Sequence, residues 1–152
     1  MTISQKTAWA QLAIFGVLVI GWVILFSING TVFYWQDETM KMTFYWLCAA
    51  AFGALVIMNV VAGILKSSLK AITDERDKGI FRRASLWATG VSYSVVAALL
   101  LALAITYMEK GSESIPVYFP LFIVIVGGVT LILTQAITAL LLYGRKVNHA
   151  ES

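Results

Sequence analysis

Charged residues are missing from four long stretches of this chain: between Lys6 and Asp37, between Lys41 and Lys66, between Arg83 and Glu109, and between Glu113 and Arg145. Each stretch exceeds the roughly 20 residues that a helix rising about 1.5 Å per residue needs to cross about 30 Å of hydrocarbon. This pattern predicts transmembrane helices near residues 8–28, 43–65, 84–108 and 120–143. Composition agrees, since 60% hydrophobic and 12% charged residues in a chain of 152 is not the balance of a soluble domain. The expected fold class is all-α: a polytopic membrane protein, residues 1–152 forming one domain of four helices in an up-and-down bundle.

The first apolar run follows Lys6 as a secretory signal would, but it is longer than a typical h-region and lacks a clear A-x-A cleavage site, so it reads as a retained span. Orientation follows from Lys and Arg near the span ends. Lys6, Lys66, Lys70, Arg76, Lys78, Arg82, Arg83, Arg145 and Lys146 fall on one side, against Lys41 and Lys110 on the other. That bias predicts cytoplasmic N and C termini and a cytoplasmic loop over residues 66–83. The net charge of +3 is explained by this asymmetry, and nucleic acid is not expected as a partner.

The boundaries carry matching chemistry. Tyr34, Trp35, Tyr45, Trp46, Tyr107 and Tyr118 fall at the expected outer boundary and Trp9, Trp87 and Tyr143 near the inner one, where amphipathic rings anchor at headgroup level. Pro116 and Pro120 precede the fourth span, and a proline in a first turn loses no helical hydrogen bond. Gly144 is expected as its C-terminal cap, with Arg145 and Lys146 suited to the negative end of the dipole. The outer connection, residues 29–42, contains the Asn29-Gly30 turn signal and the charges Asp37, Glu38 and Lys41. Two adjacent carboxylates without further oxygen ligands do not make a metal site.

Polar residues inside the spans are few and neutral. Asn59 lies in the second; Thr130, Thr134 and Thr138 recur every four residues in the fourth, with Gln135 beside them. Residues spaced by four share a helix face. Such a face is either a packing seam or the lining of a neutral cavity for lipid or a small hydrophobic molecule. Small-xxx-small patterns favour close packing: Ala49 with Gly53, then Ala84, Ala88 and Ser92, and the Gly127-Gly128 pair. Trp22 and Tyr93 carry polar atoms well inside their spans and require hydrogen-bond partners if they face the bundle.

Membrane enzymes and ion-coupled transporters generally use ionisable groups at membrane depth, and these spans contain none. The first span, AWAQLAIFGVLVIGWVILFSI, lacks the glutamate of a small multidrug exporter. One cysteine, Cys48, supplies no redox pair, and it reads as a small buried hydrophobe. One histidine, His149 in the polar tail, supplies no haem ligation between helices. No cofactor, metal or catalytic residue is expected, and the chain reads as non-enzymatic.

What stands out is ITDERDKGIFRRAS, residues 72–85, where seven of the nineteen charged residues lie within fourteen positions. Thr73 or Asp74 can cap a helix whose acidic first turn suits the positive end of the dipole, so the third helix is expected to begin before the membrane. Asp74 with Lys78 and Glu75 with Lys78 are spaced as helical ion pairs, each contributing a few tenths of a kcal/mol. Arg76 and Asp77 are left to meet Lys66, Lys70, Arg145 or another chain. Gly79 weakens helix propensity by up to about 1 kcal/mol relative to alanine, leaving open a rigid helix start or a hinge.

DERDKGIFRRAS followed by an apolar helix resembles a group of small four-helix bacterial membrane proteins with a DERD-x-x-I loop between their second and third spans. The opening KTAWAQLAIFG is similar to their Lys-x-x-Trp start and LLLYGRK to their Tyr-x-Arg ending. Asp74, Glu75, Arg76, Asp77 and Ile80 match the motif, and Arg82, Arg83 and Ala84 keep the basic and small character after it. The resemblance implies four spans in a bacterial inner membrane and no particular reaction.

Three functional readings follow. The first is a partner-binding or self-associating membrane protein that uses the cluster Asp74, Glu75, Arg76, Asp77, Arg82 and Arg83; its partner is a second copy or another membrane or cytoplasmic protein. The plainer version makes the cluster a topology signal with intramolecular salt bridges. The second is binding or transport of lipid or a small hydrophobic molecule through a cavity lined by Asn59, Thr130, Thr134, Gln135 and Thr138. The third, an enzyme with acid-base or metal chemistry at DERD, is disfavoured because carboxylates beside water and lysine have little reason to hold shifted pKa values.

Overall fold

The structure is a computed structural model, and it describes residues 2–29, 38–68, 75–109 and 118–147. They form four helices: α1, Ile3–Asn29; α2, Glu38–Ser68; α3, Glu75–Glu109; and α4, Tyr118–Val147. All four are long and apolar enough to cross a membrane. The chain divides into two compact units, Met1–Thr73 and Asp74–Ser152, each built on one pair of helices.

Each helix contains its expected span and extends beyond it, because good helix formers flank the apolar runs. At 35 residues, α3 is about 52 Å long and starts nine residues before Ala84, as the acidic first turn implies. The expected loop of residues 66–83 is correspondingly shorter: Lys66, Ser67 and Ser68 end α2, and everything from Glu75 onward belongs to α3. Glu38 and Lys41 are likewise helical rather than in the outer connection, with Glu38 in the first turn of α2 where an acid suits the dipole. Gly144 does not cap α4, which continues through Arg145 and Lys146 to Val147.

The start of α1 carries a reciprocal cap that the charge pattern does not reveal. The Thr2 N–H donates to Gln5 Oε1 at 3.0 Å and the Gln5 N–H donates to Thr2 Oγ1 at 3.2 Å. This is a capping box, and its sequence signal is the Thr-x-x-Gln spacing.

In the first unit α1 and α2 run antiparallel, as the ring contacts demonstrate: Phe15 meets Phe52 edge-on at 5.4 Å, while Trp22, farther along α1, stacks on Phe44 at 5.3 Å. Ala8, Phe15, Leu18 and Trp22 bury one face of α1, and Met40, Phe44, Cys48 and Ala51 the facing side of α2. Cys48 thus occupies the small buried position expected for it. The Ala49 and Gly53 pair does not serve this packing, because both residues are exposed on another face of α2. Bulky rings, rather than close backbone approach, join these helices.

The second unit packs in the opposite manner. Ile80, Ala84, Ala88 and Ser92 form a buried, mostly small face on α3, set against Phe119, Ile123, Gly127, Ala136, Ala139 and Tyr143 of α4. Alanine and glycine at the contact let the backbones approach closely, which is the small-residue mode of helix association in lipid. Tyr93 lies on the other side of α3 and is 73% exposed, so it does not enter this contact.

Candidate functional site

The antiparallel register of α3 and α4 brings the start of the charge cluster to the end of the chain's last helix. Two hydrogen bonds fix that register. The Ser92 hydroxyl donates to the Gly127 carbonyl at 2.8 Å, and the Tyr143 hydroxyl donates to Asp77 Oδ1, also at 2.8 Å. They are separated by fifteen residues on α3 and sixteen on α4, roughly 22 and 24 Å of helix, so the same alignment satisfies both.

Asp77 and Tyr143 are both buried. This corrects the expectation that Tyr143 anchors at the headgroup boundary. Its ring is inside the hairpin because it lies on the same face of α4 as Ala136 and Ala139, and its hydroxyl reaches a carboxylate. Asp77 shares its face of α3 with Ile80, Ala84 and Ala88. The fourth residue of DERD therefore makes a polar contact within the helix pair.

The described basic residues of the cluster do not share that burial. Lys78, Arg82 and Arg83 are exposed. Asp74, and Thr73 as an alternative cap, lie outside the described residues, as do the side chains of Glu75 and Arg76, so their expected ion pairs with Lys78 are not described. Asp77 and Tyr143 are the DERD and Tyr-x-Arg elements meeting at one point, a pairing that their separate motifs do not announce. Two helices of known register and antiparallel direction would have been needed to find it from sequence.

Gly79 lies within continuous α3 helix, and a Cβ added there would meet nothing within 4 Å. The helix runs through this residue without a break. Gly79→Ala is expected to raise stability by up to about 1 kcal/mol through the unfolded chain's lost freedom, read as an upward shift in thermal unfolding in mild detergent. A destabilised variant would reveal a conformation that α3 does not present here.

The neutral polar residues of the expected spans divide between the two units. Asn59 is on α2 in the first and is exposed within it; Thr130, Thr134, Gln135 and Thr138 are on α4 in the second and are half-buried. Thr134 and Thr138 line a groove of about 390 Å³ together with Trp87, Val91, Leu141 and Leu142. Nearer the middle of the same helix pair, the Ser92 hydroxyl of α3 bonds across to α4. Among the described residues no group of three or more His, Cys, Asp or Glu side chains is placed to hold a metal ion.

Comparison with protein-family models, with curated proteins and with solved structures finds no match to this chain.

Proposed function

We propose that the chain is a non-enzymatic, multi-pass protein of a bacterial inner membrane, with both termini cytoplasmic, that binds a partner protein or a second copy of itself through the charged start of α3. The observation that carries this reading is the division of labour in the DERD cluster. Asp77 is committed to Tyr143, while Lys78, Arg82 and Arg83 project outward on the same short segment. A topology signal alone needs the basic residues but gives no reason to bury an acid beside them. Fixing the helix start leaves a rigid, basic surface whose shape is set by the α3–α4 pair.

The orientation rests on the excess of Lys and Arg at one set of span ends, and the bacterial inner membrane on the resemblance of the loop and terminal motifs. Crosslinking in native membranes, followed by purification, tests the association. The wild-type chain is expected to yield a crosslinked dimer or a defined heteromer, and Asp74→Ala and Arg76→Ala are expected to reduce its yield while leaving membrane insertion intact. A chain that remains monomeric and partnerless under every condition would contradict the proposal.

A further inference from the structure

We infer that the groove between α3 and α4 is a binding site for one anionic glycerophospholipid, its acyl chain along Trp87, Val91, Thr134, Thr138, Leu141 and Leu142 and its phosphate at Arg83. The inference rests on the reading of these helices as membrane spans and shares Arg83 with the proposed partner surface.

The geometry begins with helical spacing. Arg83, Trp87 and Val91 are separated by four residues each and share one face of α3. Trp87 and Val91 line the groove, and Arg83 is exposed one turn earlier on the same face, outside the lining and toward the charged start of α3. Trp87 is 68% exposed, an indole placed between the apolar groove and the charged end of the helix, as such rings are at the headgroup level. The α4 wall offers two hydroxyls, Thr134 and Thr138, among leucines; it fits a chain with limited polarity and holds no charge to repel or ligate one.

Charge decides the headgroup. Asp77 is turned onto Tyr143 on the buried face, so the described charged side chains left at the surface of this end of α3, Lys78, Arg82 and Arg83, are all basic. A zwitterionic lipid would place its own cation among these groups, whereas an anionic one presents only phosphate charge. Arginine suits that contact because its planar fork can donate two hydrogen bonds to phosphate oxygens.

Native mass spectrometry of the full chain released from detergent, with added phosphatidylglycerol or phosphatidylcholine, tests the site. One phosphatidylglycerol is expected to stay bound in preference to phosphatidylcholine. Arg83→Gln should lower its retention about fivefold, the effect of one basic residue near an anionic surface, while Arg83→Lys retains most of it. Thr138→Trp, which fills the groove, should lower retention of both lipids, with unchanged helicity confirming that each variant is folded. Equal retention of the two lipids, or Arg83→Gln and Thr138→Trp behaving as wild type, would overturn the site. A chain that stays dispersed without detergent would instead overturn the membrane reading beneath it.

Discussion

Gly127→Val should separate α3 from α4 and cost the hairpin about 1–3 kcal/mol, within the range for overpacking a close contact. A Cβ at this position would lie 2.6 Å from Val96 Cγ2 and 3.8 Å from Ser92 Oγ. The first distance is inside any real carbon contact. Valine cannot yield by rotating, because a β-branched side chain in a helix has one strongly preferred rotamer. The backbones must therefore move apart, and that motion also stretches the 2.8 Å bond from the Ser92 hydroxyl to the Gly127 carbonyl. Two losses arise from one methyl-bearing carbon. Thermal unfolding or steric trapping in detergent should report the drop, and Gly127→Ala should show part of it. Tolerance of valine at wild-type stability would mean that the helices are not in this contact.

Tyr143→Phe should cost about 1–3 kcal/mol, since it removes a hydrogen bond to a carboxylate and leaves that carboxylate buried without the donor. Both partners are buried in the hairpin, where water replaces the lost hydroxyl poorly. The ring itself is retained, so its place in the contact with α3 changes little and the loss can be assigned to the hydroxyl. Disulfide trapping or proteolysis near the start of α3 should report a looser segment. A Tyr143→Phe protein as stable as wild type would make the contact incidental.

The sequence made four apolar helices legible because lipid permits few charges, and a charge-free run of 25 residues or so leaves little else to be. Packing was legible only where small residues act in pairs. Ala84, Ala88 and Ser92 are buried as their spacing suggests, but Ala49 and Gly53 obey the same spacing and are exposed. The difference lies with the neighbour: α4 presents Gly127 and alanines, whereas α1 presents Phe15 and Trp22, which fill the interhelical space by themselves. Helix ends were read too short at Lys66 and Gly144 because the edge of an apolar run was equated with the end of a helix, although lysine and arginine extend helices readily.

The candidate site divides along similar lines. Charge density singled out DERD, and its Glu75 and Asp77 lie in the first turn of α3. Neither charge density nor helical spacing told that Asp77 faces inward while Lys78 faces outward, since that depends on where α3 meets α4. Tyr143 was read as a boundary anchor because tyrosines at span ends usually are; its burial follows from a partner 66 residues away. The polar residues of the apolar helices were grouped by chemistry; Asn59 belongs to the first unit and the threonine face to the second.

The claim on which the rest depends is that Asp77 is held by Tyr143, fixing the start of α3 and leaving its basic residues outward. A double-mutant cycle with Asp77→Ala, Tyr143→Phe and the pair, followed by reversible unfolding in detergent, measures this directly, because alanine removes the acceptor and phenylalanine the donor. The account predicts a coupling of about 1 kcal/mol or more, with the double variant little worse than Tyr143→Phe alone. Additive effects with no coupling would contradict it.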